Sequence, residues 1–241
     1  YTLSLHDALP ILTSGRLSAL TAQSIRVSGL DVDGCASSTG ACVDAMDRAA
    51  GVADERRLSA LAELWLQQAQ TLPDAAQRAA PDAGSPRLNA WLEVARHAYA
   101  YLFFTGRTPG ERVFEDRQTQ VRDWYNYAVQ EAIALLFEES RRIRDDGAPQ
   151  AEVFERAGWT FRIDLAGIRM PEGVHMPQEL LPAASLSFQG LRSTWRRDGF
   201  GAELVAVMVD DPVAAAPEPR PGPTGMSCSF AQRMKSDTIR K

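Results

Sequence analysis

The chain has 241 residues, of which 45% are hydrophobic and 24% are charged, as expected of an ordinary globular protein of one or two domains. It contains no run of about 18 consecutive apolar residues, so the sequence predicts no transmembrane span. The formal net charge is -5 and basic residues are interleaved with acidic ones, which excludes the clustered positive surface that nucleic-acid binding requires.

The two ends of the chain differ in character from the rest. Of the 26 basic residues only Lys235 and Lys241 are lysines, whereas the arginines elsewhere are typical of a GC-rich genome. We therefore expect residues 226–241 to be a frameshifted or foreign end, or else a native tail without fixed structure. Residues 1–11 (YTLSLHDALPI) resemble translated sequencing-adapter read-through and are treated as a non-native leader.

Short elements are predicted first along the chain. Apolar residues between positions 17 and 29 fit no period cleanly, and we expect a short helix that ends at Gly29. Residues 31–40 are rich in Gly, Ser and Asp and predict a loop, which Cys35 and Cys42 bracket.

Three long amphipathic helices are predicted next. Residues 54–72 carry an apolar stripe at spacings of three and four. After a linker over 73–84, Ser85 and Pro86 predict the start of a second helix, which Gly106 terminates.

The third helix is predicted to be the longest. Thr108 and Glu111 match a capping box, in which each side chain satisfies the other residue's backbone amide. An apolar stripe that starts at Phe114 continues toward Arg142, so we expect about 30 helical residues with a length of ~45 Å.

Strands are predicted only after Gly147. Residues 159–165 (WTFRIDL) alternate at period two, and residues 204–209 (LVAVMV) are typical of a buried strand. The expected fold class is α+β, mainly α, with three long helices followed by a small set of strands. We divide the chain into a helical domain over 12–146, a β-containing segment over 147–211, and a Pro-rich linker with the doubtful tail over 212–241.

Catalytic motifs are incomplete. The sequence contains no Gly-x-Ser-x-Gly nucleophile elbow, and the nearest approach, Ser227 in GMSCS, lacks the second glycine. His6 falls in the leader, whereas His97 and His175 have no neighbour in sequence that would orient them as bases. We therefore predict no catalytic residue in this chain.

Metal and cofactor motifs are incomplete too. The DVDG stretch from Asp31 has its glycine and its last ligand at the wrong positions for a calcium loop. Gly199 and Gly201 lack the third glycine of a dinucleotide fingerprint and precede a strand, so we interpret them as a turn. No metal and no cofactor is predicted.

Two groups of residues remain as candidates. The spacer between Cys35 and Cys42 allows either a disulfide or two free buried thiols, and Cys228 lies in the doubtful tail. On the third helix, polar residues interrupt the apolar stripe, and we favour buried contacts that hold helices together over a functional surface. These polar residues are Arg117, Gln118, Arg122, Asp123 and Asn126.

Residues 95–130 (ARHAYAYLFFTGRTPGERVFEDRQTQVRDWYNYAVQ) resemble the N-terminal region of large proteobacterial α/β-hydrolase lipoproteins of the esterase or lipase type. Three further segments resemble the same region in the same order, namely 12–30 (LTSGRLSALTAQSIRVSGL), 54–66 (DERRLSALAELWL) and 180–209, including SLSFQGLRSTWRRDGFGAELVAVMV. The resemblance covers about residues 12–212.

The resemblance implies that the chain is a fragment, because in that family the hydrolase domain with its nucleophile elbow follows this region. It implies export to the bacterial cell envelope, in the periplasm or on the outer membrane, with a lipid anchor on a cysteine upstream of Thr13. In that setting the disulfide between Cys35 and Cys42 is favoured over free thiols. The implied partners are the missing catalytic domain and, in the full-length protein, an ester or lipid substrate.

The rival hypothesis is a helical-repeat-like adaptor of the cell envelope without enzymatic activity, suggested by the small and aromatic residues in ARHAYAYLF and WYNYAVQEAIALLF. An adaptor is expected to expose Tyr99, Tyr101 and Tyr125 in a concave groove. A region that scaffolds a hydrolase is expected to bury them against its own strands.

Overall fold

A computed structural model describes residues 16–73, 85–145, 153–156, 158–162, 177–183, 186 and 199–207. In these ranges the fold is α+β and mainly helical, as predicted. No helix of the described part is long and apolar enough to cross a bilayer. The predicted leader over 1–11 and the predicted linker and tail over 212–241 lie outside the described residues.

The helices in chain order are α1 (Ala19–Val27), α2 (Val32–Ser37), α3 (Thr39–Asp47), α4 (Asp54–Thr71), α5 (Pro86–Phe103) and α6 (Asp116–Asp145), with a 3₁₀ helix (Pro109–Arg112) before α6. The strands are β1 (Val153–Arg156), β2 (Trp159–Arg162), β3 (Glu179–Pro182) and β4 (Leu204–Val207).

The predicted loop over 31–40 is wrong, because most of these residues are helical in α2 and α3. The Asp31 carboxylate accepts a hydrogen bond from the Gly34 N–H at 2.6 Å and so caps the start of α2. The polar residues of this segment therefore mark the start of α2 and the boundary between α2 and α3 at Ser38. A disulfide joins Cys35 of α2 to Cys42 of α3, and both residues are buried.

Helices α4 and α5 confirm the predictions over 54–72 and 85–105 to within two residues at each end. The Ser85 hydroxyl accepts a hydrogen bond from the Leu88 N–H at 3.0 Å and caps α5 as expected. Helix α5 packs against both α4 and α6, which makes it the central helix of the larger core.

The capping box of the third helix is present, but the predicted start of that helix is wrong. Thr108 and Glu111 begin the 3₁₀ helix, with the Thr108 N–H donating to Glu111 Oε2 at 2.6 Å. The box satisfies the amides of this single turn, and α6 begins only at Asp116. Phe114 lies between the two elements and is 99% exposed, so its predicted place on the buried stripe is also wrong.

Helix α4 lies between two buried apolar clusters. The larger is formed by α4, α5 and α6 together with Phe161 of β2. The smaller is formed by α1, α2, α3 and the other side of α4, and it contains the disulfide. Leu17 and Trp65 pack against both clusters, so the described helices form one continuous core.

The strands form two separate antiparallel pairs, β1 with β2 and β3 with β4. Strands β2 and β4 confirm the described parts of the two predicted strands, while residues 163–165 and 208–209 lie outside the described residues. Their partners β1 and β3 were not predicted, and β3 ends at Pro182, which cannot donate a backbone hydrogen bond to a ladder.

Candidate functional site

Arg117, at the start of α6, lies at the centre of a buried polar network. Its Nη1 donates to Glu63 Oε2 on α4 at 2.8 Å and to the Ser18 hydroxyl oxygen at 3.0 Å. Its Nη2 donates to the Thr21 hydroxyl oxygen at 2.7 Å and to the Ser59 carbonyl at 3.0 Å. One side chain therefore joins α6 to both α1 and α4. We call Arg117, Glu63, Ser18 and Thr21 the Arg117 network.

Glu63 is the acceptor of this network and is completely buried. Its carboxylate also accepts hydrogen bonds from the Ser18 N–H, from the Ser18 hydroxyl at 2.7 Å and from the Thr21 hydroxyl. A buried charge requires such partners, because an unpaired carboxylate in the interior is strongly destabilising. The Glu63 carboxylate thus holds α1 and α6 to α4, and its role is structural.

A π-face completes the surroundings of the guanidinium. The Arg117 Cζ atom lies 4.6 Å from the ring centroid of Trp124, which is about two turns further along α6. Because a cation is attracted to the face of an indole ring, this contact compensates part of the desolvation of Arg117.

The other members of the predicted polar set are also on α6. Gln118 and Asp123 are buried, and Arg122 Nε lies 3.6 Å from the Asp123 carboxylate beside it. Asn126 contacts the turn before β4. Among the five predicted residues, Arg117 and Asn126 therefore contact different elements, since Arg117 bonds to α1 and α4 and Asn126 bonds to the turn before β4.

Asn126 holds the turn of residues 199–201 by two hydrogen bonds. Its Nδ2 donates to the Gly199 carbonyl at 2.9 Å, and its Oδ1 accepts from the Gly201 N–H at 3.0 Å. Gly201 has a φ of +150°, a backbone conformation that residues other than glycine rarely adopt. The turn predicted from Gly199 and Gly201 is therefore present, and α6 fixes its position.

Phe200, in the middle of this turn, completes a group of five aromatic rings. Its centroid lies 5.1 Å from that of Phe103 and 6.1 Å from that of Tyr125. The Tyr99 centroid lies 4.6 Å from that of Phe103 and 5.9 Å from those of Phe104 and Tyr125. We call this group the aromatic cluster: Tyr99, Phe103, Phe104, Tyr125 and Phe200. Burial raises the pKa of the Tyr125 phenol, and so does the neighbouring Tyr99.

Arg112 is a buried cation that the sequence did not single out. Its Nη2 donates to the carbonyls of Tyr101, Leu102 and Arg107 at 2.9, 3.3 and 2.7 Å. Its Nη1 lies 3.6 Å from the Glu55 carboxylate. The guanidinium thus satisfies the carbonyls that the end of α5 leaves without helical partners. The available signal was a basic residue shortly after a predicted helix end.

A second cluster of titratable residues, also not predicted, joins α5 to α6. Arg87 Nη2 lies 3.7 Å from Glu131 Oε2, and the Tyr127 ring meets the Trp91 ring edge-on at 5.2 Å. Burial raises the pKa of the Glu131 carboxyl. Burial also raises the pKa of the Tyr127 phenol, and the charge of Glu131 adds to that effect. These contacts tie the two helices together one turn apart on α6.

His97 is buried on α5 and is held as a neutral imidazole. Burial lowers the pKa of His97 to about 3, and the nearby charge of Arg96 adds to this effect. Arg96 Nη2 lies 3.3 Å from Nε2, and a guanidinium can only donate, so Nε2 accepts and Nδ1 carries the proton that is donated to the Glu93 carbonyl at 2.9 Å. Both ring nitrogens are thereby engaged in packing contacts.

The remaining candidates from the sequence give no site in the described part of the chain. Among the described residues, no three His, Cys, Asp or Glu side chains are grouped as a metal site requires. His6, His175, Ser227 and Cys228 lie outside the described residues. Comparison with known proteins finds no matching family model, no matching curated protein and no matching solved structure.

Proposed function

We propose that this chain is the non-catalytic N-terminal region of an exported α/β-hydrolase, which scaffolds the catalytic domain or shapes access to it. The observation that carries the proposal is the Arg117 network, in which a buried ion pair and two hydroxyls bind three helices together. Such a network stabilises a rigid framework and presents no group to a substrate. The family resemblance supplies the identity of the domain that the framework supports.

Of the three tyrosines that distinguish the two hypotheses, Tyr101 favours a scaffold over the rival adaptor. Tyr101 is buried, with the Arg112 guanidinium 4.4 Å from its ring centroid. Tyr125 is partly buried and packs against Phe200, which leads into β4. Tyr99 is partly buried between Tyr125 and the end of α5. Tyr101 therefore lies inside the fold, as expected of a scaffold, whereas Tyr99 and Tyr125 are covered only in part.

The disulfide supports the proposed export. A bond between Cys35 and Cys42 persists in an oxidising compartment, such as the bacterial periplasm or the outer face of the envelope. The ester or lipid substrate and the lipid anchor follow from the family resemblance alone and belong to the full-length protein.

The proposal is tested by sequencing the intact gene across both ends of this reading frame. We expect a Gly-x-Ser-x-Gly elbow downstream of residue 212, and we expect substitution of its serine to abolish ester hydrolysis by the full-length protein. In the same protein, Arg117→Leu should lower thermal stability while the active serine still reacts. An intact reading frame without a nucleophile elbow would overturn the proposal.

A further inference from the structure

The aromatic cluster is contiguous and only partly covered. Each of its five rings packs against at least one other ring of the cluster. The three phenylalanines are the exposed members, with Phe103 41%, Phe104 57% and Phe200 49% exposed. At about 200 Å² for each complete side chain, these three phenylalanines leave roughly 300 Å² of apolar surface in water, and the tyrosine edges add to it. A patch of this size is comparable to the largest on a typical monomer and is often functional.

The area of the patch limits what can bind it. A stable complex between separate proteins needs about 800 Å² from each partner, which is more than twice the area of the exposed rings. A domain on the same polypeptide needs less, since contacts between domains of one chain bury only about 300 to 750 Å² per side. A tether also supplies an effective concentration in the millimolar range.

The position of the patch also favours a tethered partner. Phe200 lies four residues before β4, and β4 is the last described strand. Val207, the last residue of β4, is seven positions after Phe200, so the point from which the chain continues lies at most about 25 Å from this ring's backbone. Asn126 fixes the turn that carries Phe200, so the surface is already ordered before anything binds.

We propose that the aromatic cluster is the docking surface for the domain that follows residue 207 in the full-length polypeptide. This inference rests on the proposed function for the existence of that domain. The facing surface is apolar, with aliphatic or aromatic side chains at its centre, because the five rings offer no ionic partner and only two phenolic hydroxyls at their edge.

The test is hydroxyl-radical footprinting of the 241-residue chain and of the full-length protein, with side-chain oxidation read by mass spectrometry. We expect oxidation of Phe103, Phe104 and Phe200 to be at least threefold slower in the full-length protein. Phe114 is 99% exposed and makes no ring contact with the cluster, so its oxidation rate should be equal in both and provides the internal control.

Matched variants test the energetics. In the full-length protein, the double variant Phe103→Ser, Phe200→Ser should accelerate proteolytic separation of the two domains several-fold, while Phe114→Ser should leave the rate unchanged. All three positions are exposed enough that folding is expected to persist, and far-ultraviolet circular dichroism of the variants verifies this.

The outcomes separate this inference from the proposed function. A gene that encodes no further domain overturns both. A further domain with equal oxidation of the cluster in both proteins overturns the docking inference alone. If the 241-residue chain dimerises by sedimentation, or binds phosphatidylcholine vesicles, in a manner lost in the double variant, the assigned occupant is wrong.

Discussion

Arg117 and Glu63 lie 54 positions apart in the sequence and form a buried ion pair at 2.8 Å. The pair links the first turn of α6 to the middle of α4. Through the hydroxyls of Ser18 and Thr21 it also fixes the start of α1. The smaller apolar cluster around the disulfide is thereby connected to the larger one by polar contacts as well as by packing.

Breaking this pair from one side should be costly. Removing one partner leaves the other as an uncompensated buried charge, so Arg117→Leu and Glu63→Leu should each lower the free energy of unfolding by roughly 3 to 5 kcal/mol. The double variant should lose less than the sum of the two, because neither charge is then left alone. Urea denaturation of the four proteins measures the coupling.

Arg57→Leu is the matched control for these variants. Arg57 is on α4, and its ion-pair partner Asp54 is exposed, so their contact should contribute no more than about 1 kcal/mol. Strict additivity of the Arg117 and Glu63 substitutions, or a loss from Arg57→Leu as large as that from Arg117→Leu, would contradict the role of the network.

Asn126→Ala should loosen the turn that carries Phe200. The substitution removes one donor and one acceptor from partly buried backbone groups, which should cost about 1 to 3 kcal/mol. Oxidation of Phe200 in footprinting should rise at the same time. Thr119→Ala, at an exposed position of α6, is the control and should change neither quantity. Unchanged stability together with unchanged Phe200 oxidation would mean that Asn126 does not hold the turn.

The disulfide should stabilise the smaller cluster by restricting the unfolded chain. Cys35 and Cys42 are seven positions apart, and closing so short a loop is worth roughly 2 to 3 kcal/mol. Cys35→Ser, Cys42→Ser should lower the unfolding free energy by this amount. Of the three cysteines, only one should react with a thiol reagent in the unfolded, unreduced protein. Three reactive thiols under those conditions would show that the bond is absent in solution.

His97 should make the protein less stable in mild acid. Its pKa is 6.5 in the unfolded chain and about 3 in the fold, so between these values only the unfolded state binds the proton. Protonation therefore favours unfolding below pH 6.5, where the free energy of unfolding falls by about 1.4 kcal/mol for each pH unit of acidification. Well above pH 6.5, His97 makes no contribution to the pH dependence of stability. From pH 7.5 to pH 5 the loss from His97 should be about 2 kcal/mol.

His97→Gln isolates this contribution, because the amide stays neutral and the carboxylates that also titrate are common to both proteins. Urea denaturation at pH 7.5 and pH 5 should show a smaller loss for the variant by about 2 kcal/mol. Equal losses in the two proteins would show that His97 titrates normally in the fold.

The sequence predicts those elements that depend on local signals. Helices α4 and α5 follow from apolar periodicity, and Ser85 marks the start of α5. The turn at Gly199 and Gly201 follows from its glycines and the strand after it. Polar residues on the apolar stripe of α6 likewise indicated that Arg117 and Asn126 have partners inside the fold.

The features that were missed depend on contacts distant in sequence. Asp31 and Gly34 have a composition typical of loops, but an N-cap bond and packing against α4 make the segment helical. The capping box at Thr108 is real, yet it begins a separate 3₁₀ helix, whose Arg112 bonds to carbonyls at the end of α5, and Phe114 lies outside the buried stripe. Glu63 could not be identified as the partner of Arg117, because α4 places acidic residues on several faces and the choice among them is made by tertiary packing.

The central claim is that this chain is a structural region without an active site of its own. Labelling of the purified 241-residue chain with a fluorophosphonate probe, together with a p-nitrophenyl ester assay, tests it most directly. We predict no labelled serine and no turnover above that of the heat-denatured chain. A serine that is labelled stoichiometrically, with ester hydrolysis that is lost when that serine is replaced by alanine, would contradict the claim.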